Sequence, residues 1–133
     1  MTMIKLVPTL MVKDVHRTID FYQMVLGFEL EQVIPAAAPF EWASMKCGDV
    51  EVAFQEESNM IWDIPEMQGM EIGGAFALCV KMEGVDALYE RVKDKVVISQ
   101  ELFTFYPGLR EFRIRDSDGY FWVFREKIPS PAE

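Results

Sequence analysis

Glu51 in VEVAFQE, Glu111, Arg113 and Arg115 in EFRIR, and Arg125 in YFWVFRE place charge inside runs that otherwise read as strands. A carboxylate in an apolar setting can act as a general base or attract a cation. Arginines on one strand face can grip a carboxylate. What the chain lacks narrows this chemistry. Its one histidine, His16, stands at a helix start beside Arg17, off the apolar stripe, and reads as a solvated side chain. No acidic loop has calcium-binding spacing, and RDSDGYFWVFRE reads as a hairpin. There is no nucleophile elbow, no Gly-rich phosphate loop and no cysteine with a histidine to activate it. Cys47 and Cys79 lie far apart in apolar runs, so two buried thiols in a reducing cytosol are expected.

Residues 3–12 read as a strand, with Pro8 favouring an edge or an irregular start. Asp14 reads as the N-cap of a helix carrying Val15, Ile19, Tyr22 and Leu26 on one face, and Gly27 as its stop. Three strands follow: 28–34, 40–47 and 50–56, the last two joined by a tight turn at Gly48-Asp49. The second half repeats the order: strand 73–82, helix 84–94 with Val85, Leu88, Tyr89 and Val92 on one face, a short strand 96–100, then strands 109–115 and 120–127 around DSDG. ASMKCGDVEVAF aligns with FRIRDSDGYFWVF, so a β-α-β-β-β unit of about sixty residues is duplicated. Residues 57–71, rich in Met, read as an irregular connector. The tail 129–133 is expected to fray. Tyr120 to Phe124 are apolar on both strand faces, which poses the question of what the second face meets.

The chain has 133 residues, half of them hydrophobic, which suits one domain. The formal charge of −9 disfavours nucleic acid as a partner. No apolar run has bilayer-spanning length and the N-terminus lacks a signal-peptide pattern, so a cytoplasmic protein without membrane contact is expected.

PTLMVKDVHRTIDFYQMVLGFEL resembles the opening module of the glyoxalase, bleomycin-resistance and ring-cleaving dioxygenase (vicinal oxygen chelate) superfamily. GLREFRIRDSDGYFWVFRE resembles its closing hairpin, with Ser117 in place of the usual Pro. The resemblance covers nearly the whole chain and is closest to the metal-free bleomycin-resistance-like branch. It implies an α+β fold: a single domain of two βαβββ modules (about 3–56 and 72–127, connector 57–71). Their curled mixed sheets surround a central cup, with helices on the outer faces. Tyr120, Trp122 and Phe124 then pack under a helix, as do Leu6, Leu10, Val50, Val52, Phe54, Phe76, Leu78 and Val80, while Phe121, Val123 and Arg125 face the cup. A homodimer is also implied.

The superfamily's metal-ligand positions fall here on Val7, Glu51, Ala75 and Val123. Only one is a ligand type, so the sequence assigns no metal, no cofactor and no catalytic residue. Glu51 is expected to pair with a cup arginine, or alternatively to be a base with a raised pKa. The ligand-binding candidates are Thr9, Trp42, Glu51, Gln55, Glu111, Arg113, Arg115, Phe121 and Arg125 in the cup, and Trp62 in the connector. Trp42 and Phe121 can stack on an aromatic or cationic group, and Glu51 and Glu111 can attract a cation. Cross-strand pairing among these charges is the competing expectation. Met60, Trp62, Met67 and Met70 are candidates for a pliable lid or for plain packing, and Ile61 and Trp62 for a dimer contact. Three functions follow. The first is a metal-free protein that sequesters a small organic molecule. The second is a glyoxalase- or dioxygenase-type enzyme with an atypical metal set built on Glu51. The third is a regulatory or scaffold dimer with a filled cup.

Overall fold

A computed structural model describes residues 1–105 and 108–129. The chain divides into two compact units, Met1–Ile72 and Gly73–Glu133. Each is a four-stranded mixed sheet with a helix on one face, in the order β-α-β-β-β.

In the first unit, β1 (Thr9–Val12), β2 (Glu29–Ile34), β3 (Trp42–Cys47) and β4 (Val50–Glu56) form a sheet in the order β1-β4-β3-β2. β1 runs parallel to β4, and the remaining pairs are antiparallel. α1 (Val15–Met24) begins where the Asp14 side chain accepts a hydrogen bond from the Arg17 backbone N–H. That bond satisfies a first-turn donor that has no partner inside the helix. Its apolar face buries Val15, Ile19 and Tyr22. The Tyr22 ring lies 4.5 Å from Phe54 and meets Phe28 edge-on at 5.5 Å. Ala43, Met45, Val52 and Phe54 complete this core. Strand periodicity of two then sends Trp42, Ser44, Glu51 and Gln55 to the sheet face opposite α1.

The second unit repeats the pattern. β5 (Ala77–Lys81), β6 (Val97–Phe105), β7 (Leu109–Arg115) and β8 (Phe121–Lys127) are ordered β5-β8-β7-β6, with β5 parallel to β8. α3 (Val85–Val92) covers one face, where Tyr89 meets Phe112 at 5.1 Å. Phe112, Ile114, Tyr120, Trp122 and Phe124 are all buried. Trp122 thus lies on the helix side and Val123 on the opposite face, as alternation requires. The turn before β8 is held by Asp116, whose Oδ1 accepts from the N–H groups of Asp118 and Tyr120. Gly119 supplies the left-handed φ of 90° there.

Several expectations need correction. The first strand starts at Thr9 rather than residue 3, and Leu6 is 88% exposed. Pro8 has no N–H for a ladder, although its carbonyl accepts from Ala53 N–H. Phe76, expected under a helix, precedes β5 and is 46% exposed. β6 extends to Phe105, its register shifting between Ile98 and Gln100 and again between Gln100 and Phe103. Those irregularities blur the alternation that marks a strand. The connector is not wholly irregular: it holds α2 (Glu57–Asp63) and a 3-10 turn at Pro65–Met67. Both cysteines are exposed free thiols. Cys47 ends β3 and Cys79 lies on the face away from α3. His16 is exposed but not wholly solvated, since its ring stacks on Phe40 at 4.4 Å. Among the described residues no helix is long and apolar enough to cross a membrane. The tail 130–133 lies outside the described residues.

Candidate functional site

The sheet faces turned away from α1 and α3, called here the far faces, carry nine of the ten candidate residues. On the far face of the first sheet, Trp42 pairs in register with Gln55, Ser44 with Ala53, and Lys46 with Glu51. Thr9 stands opposite Ala53 on the parallel neighbour. On the far face of the second sheet, Glu111 pairs with Arg125, Arg113 with Val123, and Arg115 with Phe121. Trp62 is not brought to either: it projects from α2 and is 83% exposed.

Glu51 receives a hydrogen bond from Lys5 Nζ at 2.8 Å. The expected partner was an arginine, and the lysine comes from the arm ahead of β1. This bond holds the Glu51 carboxyl below its ordinary range and raises the Lys5 ammonium above its own. A base with a raised pKa is therefore the wrong reading of Glu51. Stabilising the anion weakens it as a proton acceptor.

Glu111 is fully buried, and its two oxygens are divided between two arginines. Arg113 Nε donates to Oε2 at 2.7 Å, and Arg125 Nε donates to Oε1 at 2.9 Å. One arginine lies two residues along the same strand; the other is the register partner on β8. Burial of the carboxylate is offset because both acceptor atoms are met by charged donors. Pairing within the sheet is thus the outcome for Glu111, Arg113 and Arg125. Arg115 lies over the Phe121 ring at 4.5 Å, which leaves its guanidinium edge for other partners.

At the end of β4, Gln55 Nε2 donates to Asn59 Oδ1 and Asp63 Oδ2, each at 2.7 Å. Asn59 Nδ2 donates to Glu41 Oε2 at 3.0 Å. Sequence reading missed Asn59 and Asp63 because the connector showed no period, and Glu41 because strand alternation gives it the parity of Ala43 and Met45 on the helix side, whereas β3 starts only at Trp42. The signal that was there is local. Glu56 caps α2, its side chain accepting from the backbone N–H groups of Ser58 and Asn59 and bonding the Ser58 hydroxyl. Burial pushes the Glu56 carboxyl up, but these hydrogen bonds outweigh it and leave the group below its ordinary value. Asn59 and Asp63 then share one helix face at a spacing of four. Met60 is buried in this unit, so it packs and is no lid; Met70 is 57% exposed.

A catalytic metal needs several convergent donors. Of the four positions the resemblance singles out, Val7, Ala75 and Val123 carry no donor, and Ala75 lies ahead of β5. Glu51 is engaged by Lys5. Among the described residues no three His, Cys, Asp or Glu side chains are grouped to hold an ion. These residues do not fit the superfamily's metal site.

The profile of the Glyoxalase/Bleomycin resistance protein/Dioxygenase superfamily matches residues 5–124. A protein named bleomycin resistance protein from Geobacillus stearothermophilus is 28% identical over 137 residues, covering 96% of this chain and 100% of the relative. Among solved structures, TioX from Micromonospora sp. ML1 superposes with a TM-score of 0.75 at 24% identity, over 92% of this chain and 98% of that one. The bleomycin-binding protein from Streptomyces verticillus, solved with copper(II)-bleomycin, gives 0.61 at 21% identity, over 93% and 96%.

Proposed function

The chain belongs to the glyoxalase/bleomycin resistance protein/dioxygenase superfamily, and from that premise we propose that it is a metal-free small-molecule-binding protein of the bleomycin-resistance type. It sequesters an organic ligand on its far sheet faces without turning it over. The observation that carries this reading is the donor set: three of four metal positions are apolar, and the fourth, Glu51, is tied to Lys5. The relative named bleomycin resistance protein matches over its full length, which supports the same class.

On the first sheet, ligand contacts are assigned to Thr9, Trp42, Glu51 and Gln55; on the second, to Arg115, Phe121 and the Glu111–Arg113–Arg125 cluster. An indole and a phenyl ring give stacking surfaces; amide, hydroxyl and guanidinium groups give orientation. Trp62 is assigned to the ligand by its exposure alone. Two copies of the chain are expected to associate, because Met3, Ile4 and Leu6 are each more than four-fifths exposed in one. Two exposed free thiols suit a reducing cytoplasm. One observation favours the scaffold reading: Glu111 and its arginines satisfy one another with no ligand.

Melting of chelator-treated protein with metal-free bleomycin tests the proposal. Binding to the native state alone raises stability by about 2.7 kcal/mol at a hundredfold excess over Kd. The expected result is a concentration-dependent rise in Tm with bleomycin recovered at unchanged mass. Stabilisation only after a divalent metal is restored, or recovery of a chemically altered ligand, overturns it.

A further inference from the structure

Resting on the ligand-holding reading above, we propose that the far face of the second sheet takes an aromatic organic acid, its carboxylate on the guanidinium groups of Arg113 and Arg125 and its ring along Phe103 and Phe105. Glu111 is the positioning residue that holds the two arginines.

Charge sets the sign of the ligand. The chain carries −9, yet Lys81, Arg113, Arg115, Arg125 and Lys127 share the far face of β5, β7 and β8 with Glu111 as the one carboxylate on those strands' far face. Lys81 and Lys127 have no acidic partner among the described residues. Both line a cavity of about 850 Å³ at the end of the sheet, together with Arg125 and Leu109. Glu83 and Glu126 line it as well. Glu126 is spent, its Oε1 accepting from the N–H groups of Gly84 and Val85, and Glu83 belongs to the exposed turn before α3. Cations remain in excess on the sheet face itself.

The hydrogen bonds show how an anion would be held. Glu111 is fully buried between two arginines. A buried carboxylate with cations on it commonly holds a fold no better than well-packed apolar residues would, so stability alone does not account for it. What it does achieve is orientation. Arg113 spends only Nε on Glu111, and Arg125 spends Nε and Nη2. Both Nη groups of Arg113 and Nη1 of Arg125 donate to no described residue, and the two side chains are 45% and 33% exposed. Two guanidinium groups share one negative charge, which leaves the cluster net positive with donors fixed in place. A carboxylate matches such a fork, and the anchoring lowers the order lost on binding.

The neighbouring strand supplies the surface for a ring. On β6, Phe103 is the register partner of Glu111, and Phe105 that of Leu109 in the cavity wall. Thr104 between them bonds Arg110, which reaches Asp86 on α3, so the two phenyl groups belong to the opposite, far face. Their rings stack at 5.2 Å and both are half-buried. An apolar shelf beside a guanidinium fork suits a molecule with a flat ring at one end and a carboxylate at the other.

The arginine Nε–H resonances of the full, chelator-treated chain, assigned with Arg113→Lys and Arg125→Lys, are followed while naphthoate is added. Saturable movement of the Arg113 and Arg125 signals is expected, with weaker binding of cyclohexanecarboxylate and none of naphthyltrimethylammonium. Arg113→Lys keeps the charge but loses the fork, and Phe103→Leu keeps an apolar side chain but loses the ring; each should weaken naphthoate about tenfold. Lys95→Gln, which removes a positive charge beyond α3, should leave it unaltered. Glu111→Gln makes the face more positive, yet should weaken naphthoate because the arginines lose their anchor, with the buried Trp122 indole signal unshifted as the mark of an intact core. Tighter binding by Glu111→Gln would remove Glu111 as the positioning residue. Unmoved arginine signals, equal binding of the cation, or an equal loss in Lys95→Gln and Arg113→Lys would overturn the subsite. The bleomycin melting shift separates the two claims. If bleomycin stabilises the wild type while naphthoate moves neither arginine, the subsite falls and the ligand-holding reading stands. If naphthoate moves both and bleomycin gives no shift, the subsite stands and the bleomycin-type reading falls.

Discussion

Glu111 shows how one side chain can be polar and structural at once. It is fully buried, and two guanidinium groups meet its oxygens. Glu111→Gln keeps the shape but removes the charge and one acceptor. Hydrogen bonds to charged groups contribute about 1.5–3 kcal/mol. Arg113 and Arg125 are 45% and 33% exposed, so water takes up part of what they lose. Denaturant unfolding should therefore show a loss of about 2 kcal/mol; a neutral result would mean that the cluster adds nothing to the fold. The Lys5–Glu51 pair is a question of pH. Glu51 is held below its ordinary 4.5, so its contribution is complete above that value and disappears as pH falls through the lowered one. Lys5 is held above 10.5, so its contribution is complete below that value and disappears as pH rises through the raised one. The stability difference between wild type and Glu51→Gln should be flat between these limits and shrink in acid and alkali. A difference unchanged in acid would contradict the pairing. Sequence alone placed Glu51 on its face by parity. It could not name Lys5, because the partner sits in an arm with no periodicity of its own.

At the scale of elements, local capping decides what a sequence reveals. Asp14 was legible as the N-cap of α1 because Asp before an apolar-periodic run has one common use. α3 has no such residue: Gly84 occupies its N-cap position and carries no side chain. Its first donors, the N–H groups of Gly84 and Val85, are met instead by Glu126 Oε1 from β8. That long-range cap is invisible to any local reading. Glu126→Ala should cost about 1 kcal/mol and speed hydrogen exchange in the first turn of α3, leaving the core of β7 and β8 protected. Uniform exchange across the unit would argue against the cap. α2 was missed because its seven residues span fewer than two helical turns beyond the cap, too short for an apolar stripe. β6 was cut short because two register shifts break its alternation.

At the scale of the molecule, duplication made the fold readable. The two hairpins whose sequences align are β3–β4 and β7–β8, with matching sheet orders. The last strand follows the same periodicity: Trp122 and Phe124 lie under α3, while Phe121 and Arg125 join Arg113 and Arg115 on the far face. What composition could not show is the local distribution of charge. A chain of net charge −9 sets Lys81, Arg113, Arg115 and Arg125 on that one face, two of them, Arg113 and Arg125, on Glu111. It also sets Glu41 and Asp63 together at the end of the first sheet. Light scattering on the purified chain should give twice 15.4 kDa if the exposed arm residues meet a second copy. A monomer at micromolar concentration would remove the dimer from the account.

The central claim is that this scaffold holds an organic molecule with side chains alone. Native mass spectrometry of chelator-treated protein mixed with metal-free bleomycin tests it most directly. The predicted spectrum contains protein carrying intact ligand, with no metal mass, and releases the ligand unchanged on denaturation. Adducts that form only when zinc, iron, nickel or manganese is present, or a ligand released at a different mass, would contradict it.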